Sequence, residues 1–251
     1  MADGRRAVGV LGGMGPEATA DFFAKLVAAT PVEREADHLH VLIDSDPTVP
    51  DRTAAITGTG PSPAPRLAAM ARGLVAAGAE LLVMPCNTAH AFEAEIRAAV
   101  PGVPFLSLID ATADAVGAHA VGAEGASPRT VGLLSTAGTL HASIYHDAFA
   151  RRGVDVLAPD TEDQRTVTAS IDAVKRGRAT SAVREALRAV AERLVRAGAQ
   201  VVVTACTELP LLLRDGDLEV DGERVPVISS TDALVARTIE AASARAVDAV
   251  G

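Results

Sequence analysis

Short, nearly uninterrupted apolar runs alternate along this 251-residue chain with longer segments whose apolar positions recur every three or four residues. In the first half the runs are Ala7–Leu11, Leu39–Ile43, Leu81–Met84 and a stretch near Val103–Leu106. The helical periods lie between them, at Ala18–Ala29, Arg66–Ala77 and Ala91–Ala99. A strand covered on both faces has no polar side to show, so it reads as a continuous apolar run. Its alternation with helices predicts an α/β fold built on a parallel sheet.

The second half repeats the first. Val8-Gly9-Val10-Leu11 returns as Val131-Gly132-Leu133-Leu134. Ala77-Gly78-Ala79 returns as Ala197-Gly198-Ala199, and Val103-Pro104 through Asp110-Ala111 as Val225-Pro226 through Asp232-Ala233. The offsets are 123, 120 and 122 residues. A period this long is too large for a solenoid and predicts two similar α/β domains facing each other. The Gly/Ala/Ser/Pro stretch at Gly117–Arg129 sets the expected boundary, giving domains 1–117 and 118–232. The last helical pattern, Ala233–Ala249 within 233–251, is expected to cross back to the first domain.

Composition narrows the function. A net charge of −9 and an aromatic content of 2% without Trp argue against nucleic acid, which needs a basic surface and stacking platforms. No apolar stretch reaches the roughly 18 residues a membrane span requires. Arg5-Arg6 followed by a short apolar run loosely imitates a signal peptide, but Gly12, Gly13, Gly15, Pro16 and Glu17 interrupt it, and the cytoplasm is the expected compartment. Two cysteines 120 residues apart, neither in a C-x-x-C pair, fit neither a disulfide scaffold nor a structural zinc site, so no metal is expected.

Those cysteines occupy matching places in the repeat. Cys86 follows Leu81-Leu82-Val83-Met84, and Cys206 follows Val201-Val202-Val203. The carboxyl ends of parallel strands are where α/β proteins bind ligands, and a helix starting there would lower a thiol pKa. Two thiols at equivalent strand ends of facing domains suit stereoinversion at carbon: one removes a proton from one face and the other supplies a proton to the opposite face. A single Cys after a buried strand is ordinarily a core residue; two at equivalent positions, each with a Thr within two residues, favour the chemical role.

Pro85-Cys86-Asn87-Thr88-Ala89-His90 and Ala205-Cys206-Thr207-Glu208-Leu209-Pro210 resemble the two cysteine motifs of the aspartate/glutamate racemase family. Gly12 through Thr19, Val49-Pro50-Asp51-Arg52-Thr53 and Gly60-Pro61-Ser62-Pro63 add further likeness, so the resemblance spans nearly the whole chain. Glu208-Leu209 after Thr207 is similar to the aspartate racemase branch. The resemblance implies a pseudo-two-fold two-domain fold with the site in the cleft between domains, no cofactor and no metal, a homodimer, and a small acidic amino acid as substrate. It gives Arg52 the side-chain carboxylate and Lys175 a similar role. Asn87, Thr88 and Thr207 would hold the α-carboxylate. Met14 and Gly15, with their repeat counterparts Ser135, Thr136 and Thr139, would line the cleft, and Glu208 or His90 would orient the ammonium group or a thiol. Capping and tight turning would account for several of these residues equally well.

Three other readings compete. Gly13-x-Gly15-x-x-Ala18 after a strand imitates a dinucleotide fingerprint, but Pro16 lacks an N–H and Glu17 repels a pyrophosphate. Isomerisation of an unsaturated diacid, or ring opening, would also use two thiols on this scaffold. A non-catalytic amino-acid binder would need neither.

Overall fold

A computed structural model of the chain describes residues 5–119 and 127–244. These residues form two compact units. One comprises the chain up to Leu108 together with the segment from Thr231 onward; the other runs from Ile109 to Ser230.

The first unit contains β1 (Val8–Gly12), α1 (Pro16–Ala29), β2 (Val41–Ser45), α2 (Arg52–Ile56), α3 (Ala64–Ala76), β3 (Leu81–Val83), α4 (Glu93–Ala99) and β4 (Phe105–Leu106). Its four strands are all parallel, in the order β2-β1-β3-β4. After α5 (Leu108–Ala118), the second unit continues with β5 (Thr130–Ser135), α6 (Ala137–His141), α7 (Ile144–Ala150), β6 (Asp155–Leu157), α8 (Thr161–Lys175), α9 (Ser181–Arg196) and β7 (Val201–Ala205). A small antiparallel hairpin, β8 (Glu219–Val220) with β9 (Glu223–Arg224), precedes β10 (Val227–Ser229) and α10 (Ser230–Ser243). The second sheet, ordered β10-β7-β5-β6, is again fully parallel among its four strands. With β5 in the place of β1, β6 of β2, β7 of β3 and β10 of β4, the two sheets have one topology.

The repeat holds at the level of register. Gly9 pairs with Leu42 and Leu82, and Gly132 pairs with Leu157 and Val202. These two glycines show why the sequence repeats there. A Cβ at Gly9 would stand 2.7 Å from the Ala79 Cβ and 3.2 Å from the Leu74 Cβ. One at Gly132 would stand 3.2 Å from the Ala199 Cβ and 3.1 Å from the Leu194 Cβ. In each unit the helix before the third strand lies so close to the first strand that only hydrogen fits between them.

The division of the chain differs from the one read off the glycine-rich stretch. That stretch marks the connection from α5 to β5, and residues 120–126 lie outside the described residues. From Ile109, α5 belongs with the second unit: Thr112 Oγ1 accepts from the Tyr145 hydroxyl at 3.3 Å, and Asp114 accepts from Arg152 Nε and Nη2 at 2.9 and 2.6 Å. From Thr231, α10 belongs with the first unit. Asp232 pairs with Lys25 of α1 at 2.8 Å, and the Arg6 N–H donates to the Ala242 carbonyl at 2.9 Å. The part of the expected last helix beyond residue 244 lies outside the described residues. Among the described residues no helix is long and apolar enough to cross a membrane.

Gly9→Val and Gly132→Val are each expected to destabilise the protein by about 1–3 kcal/mol through overpacking, read as a lower midpoint of urea unfolding. At Gly73 on α3 nothing lies within 4 Å of the place a Cβ would take, so Gly73→Ala should be neutral or raise stability by up to about 1 kcal/mol. Equal behaviour of the three variants would contradict the packing account.

Candidate active site

Each unit gathers its motif residues at the carboxyl edge of its own sheet. In the first unit Gly12 ends β1, and the loop beyond it turns at Gly13, which has φ +87°. A side chain at Gly13 would collide with the backbone of Asp46, just past β2. Thr19 of α1 secures the same loop: its Oγ1 accepts from the Gly13 N–H at 2.9 Å and donates to the Gly15 carbonyl at 3.1 Å. The Asp46 N–H donates to the Gly12 carbonyl at 3.3 Å. Asp46 itself accepts from the Thr48 hydroxyl and N–H at 2.6 and 2.8 Å and pairs with Arg66. These partners, Thr48 foremost, hold its carboxyl down to about 2. The loops after β1 and β2 are thereby tied to each other. Met14, Val49 and Cys86 pack in one apolar cluster with Ala89.

Arg52 opens α2 behind its N-cap Asp51, whose side chain accepts from the Ala54 N–H at 2.7 Å. Its Nη1 donates to the carbonyls of Val49 and Pro50, both at 3.2 Å, and its buried Nε has no hydrogen-bond partner. Among the described residues no carboxylate forms an ion pair with it. The guanidinium is anchored by its own loop and retains donors for an anion.

Cys86 sits beyond β3, 6% exposed, its N–H donating to the Met84 carbonyl at 2.8 Å. Asn87 and Thr88 follow it, both buried, at the start of a 3-10 helix over Thr88–Phe92 that leads into α4. His90, also buried, lies 2.8 Å through Nδ1 from the Cys86 carbonyl, and its Nε2 accepts from the Leu108 N–H at 3.0 Å. An Nε2 that accepts must be bare, so the ring is neutral with its proton on Nδ1. His90 therefore fastens the backbone at Cys86 to the start of α5.

In the second unit Ser135 ends β5, and its carbonyl accepts from Gln164 Nε2 at 3.0 Å. Thr136 caps α6, accepting from the Thr139 N–H at 3.1 Å and donating to Thr139 Oγ1 at 3.0 Å. An open cavity of about 600 Å³ runs along α8 past Ala137, Pro159, Gln164, Arg165 and Thr168; neither cysteine lines it.

Cys206 directly follows β7, is 5% exposed, and donates from Sγ to Glu208 Oε2 at 2.9 Å. Thr207 Oγ1 donates to the same oxygen at 3.4 Å. Thr207 and Glu208 are both buried, whereas Lys175, the last residue of α8, is exposed. The expectation of a thiol lowered by a helix N-terminus fails here. Only a single-turn 3-10 helix, Leu209–Leu211, follows Cys206, and burial, then the Glu208 carboxylate, push the thiol well up. The Lys175 ammonium pulls the other way and is outweighed.

Sequence reasoning missed Tyr145. It is wholly buried on α7, its hydroxyl bonded to Thr112 and to Ser230, and burial pushes that hydroxyl up, so it serves as a hydrogen-bonding group only. Ser230 Oγ donates in turn to the Thr204 carbonyl at 3.1 Å, so the network braces the end of the strand that delivers Cys206. The available signal was compositional: this is the chain's only Tyr, set at helical spacing from Ala148 and Phe149.

The structure is similar to that of the aspartate racemase from Picrophilus torridus, with a TM-score of 0.79 and 32% identity over 94% of each chain. In sequence the chain is 26% identical to the broad specificity amino-acid racemase RacX of Bacillus subtilis (strain 168), over 92% of this chain and 96% of that one. It is 32% identical over 150 residues to the glutamate racemase of Roseiflexus sp. (strain RS-1), a match spanning 58% of this chain and 50% of that protein. The family profile described as Asp/Glu/Hydantoin racemase matches residues 11–238, and the chain belongs to that family.

Proposed function

We propose that this chain racemises an acidic amino acid, aspartate foremost, without pyridoxal phosphate, and that Cys86 and Cys206 are its acid–base pair. The observation that carries the reading is the equivalence of the two thiols. Val83 pairs with Val10, Val203 pairs with Leu133, and each cysteine stands three residues beyond its valine. One thiol removes the α-proton while the other protonates the opposite face, and the reverse reaction exchanges their roles. Arg52, with its unpaired Nε, supplies the grip on the side-chain carboxylate, with Lys175 as a second cation. Asn87, Thr88 and Thr207 beside the thiols, and the Met14-Gly15 and Ser135–Thr139 loops, bind the amino-acid end.

The α-proton of an amino acid is weakly acidic, and nothing in this chemistry provides an electron sink. Rate enhancement then depends on fixed donors around the developing charge and on exclusion of water. Buried thiols flanked by tied-down loops suit that demand. A cytoplasmic homodimer belongs to the same reading; two free, buried cysteines suit a reducing compartment.

Cys86→Ser and Cys206→Ser should each lower aspartate racemisation at least about a hundredfold, followed by circular dichroism or chiral chromatography. Near-full activity in either variant would reject the two-thiol scheme. Arg52→Ala should raise KM for aspartate roughly ten- to a hundredfold, the loss of about 1.5–3 kcal/mol for a charged hydrogen bond, with a much smaller change for alanine. Equal changes for both amino acids would remove Arg52 from side-chain recognition.

A further inference from the structure

The two cysteine sites are equivalent in backbone and unequal in chemistry. Matched through the repeat, Asn87 corresponds to Thr207, Thr88 to Glu208 and His90 to Pro210. The first site thus has a hydroxyl where the second has a carboxylate. That carboxylate is buried, with Oε2 2.9 Å from the Cys206 sulfur and the thiol proton pointed at it. His90 is no counterpart, because its Nε2 accepts from a backbone N–H and its Nδ1 proton goes to the Cys86 carbonyl.

A buried thiol beside a carboxylate cannot readily lose its proton to solvent, since that would leave two negative charges 2.9 Å apart in a medium that screens them poorly. The Lys175 ammonium and the Tyr145 hydroxyl also act electrostatically on Cys206, but Lys175 is exposed at its helix end and the Tyr145 hydroxyl is engaged with Thr112 and Ser230. Glu208 is the group in hydrogen-bonding contact with the sulfur that can take its proton.

Building on the two-thiol reading above, we propose that Glu208 is the proton store of the Cys206 site. When Cys206 acts as base, its S–H bond breaks and an O–H bond forms on Glu208. The sulfur electron pair then takes the α-proton, forming S–H, and the electrons of the broken C–H bond stay on the substrate carbon until Cys86 delivers its own proton. In reverse, Cys206 protonates the carbanion and Glu208 returns its proton to sulfur. The free enzyme therefore exists in two forms that differ in where one proton is missing: at Glu208 when Cys206 is ready to act as base, and at Cys86 when Cys86 is.

The test uses the full chain, its Glu208→Gln and Glu208→Asp variants, and two measurements against pH: racemisation of aspartate in both directions, and iodoacetamide alkylation of each cysteine read by peptide mass spectrometry. Glu208→Gln should lower kcat/KM about a hundredfold near neutral pH, the range for a positioned acid or base. The factor must be the same in both directions because the enantiomers are equal in free energy. The deficit should shrink as pH rises and the thiol can ionise to solvent. Alkylation of Cys206 should shift to lower pH once the neighbouring carboxylate is gone, while that of Cys86 stays in place. Glu208→Asp, which keeps an acceptor at shorter reach, should fall between, and it supplies the comparison if the Gln variant does not fold. An unshifted Cys206 alkylation curve, or an activity loss constant at every pH, would overturn the proposal. Wild-type protein inert on all amino acids, with the Cys206 curve still shifting in Glu208→Gln, would sink the racemase reading and uphold the thiol–carboxylate pair.

Discussion

In a parallel sheet all strands finish on one edge, so whatever follows them in sequence converges there whether or not it is adjacent in the chain. In the first unit this brings the glycine loop after β1, the Asp46–Arg52 segment after β2 and Cys86 after β3 to one edge. Hydrogen bonds through Thr19 and Asp46 then hold the loops in place. In the second unit the same edge collects Ser135, Thr136 and Cys206, fastened by Gln164 and by the Tyr145–Ser230 network. The strands themselves need close helix packing, which is why Gly9 and Gly132 recur. The glycines thus support the chemistry without touching it.

Duplication of a sheet duplicates geometry, and divergence of the residues around it then sets chemistry. At Cys206 burial raises the thiol and the Glu208 carboxylate in contact raises it further, whereas the residue that corresponds to Glu208 in the repeat is Thr88. A reaction that runs between mirror-image compounds needs no such difference at equilibrium. The proposed two-thiol scheme does require each thiol to reach its base form, and each site can meet that need by its own means.

The hydrophobic pattern sufficed for the four strands of the first unit, their parallel sense and the repeat, because strands covered on both faces and a 120-residue echo leave strong traces in sequence; β6 left none. Strand ends shifted by a residue or two, and α2 and the β8–β9 hairpin left none, being short and set by local turns. Gly and Ser enrichment marks the loop after α5, whereas the grouping of α5 with the second unit follows Thr112 and Asp114 finding partners on α7 and just beyond it. The places of both cysteines, Arg52 and the Thr-containing turns beyond the strand ends were legible from spacing. Tyr145 and the locked tautomer of His90 were not, since each depends on partners 18 or more residues away. The sign of the Cys206 shift also escaped: a helix start was expected where the chain makes one 3-10 turn beside a carboxylate.

The central claim is that two different groups serve the two faces of one α-carbon, and isotope labelling addresses it most directly. L-Aspartate incubated with the enzyme in deuterium oxide should, at low conversion, yield D-aspartate carrying α-deuterium while the remaining L-aspartate keeps its protium, with the mirror-image result from D-aspartate. Deuterium entering the unconverted enantiomer as fast as the product would mean that a single group handles both faces, and would contradict the account.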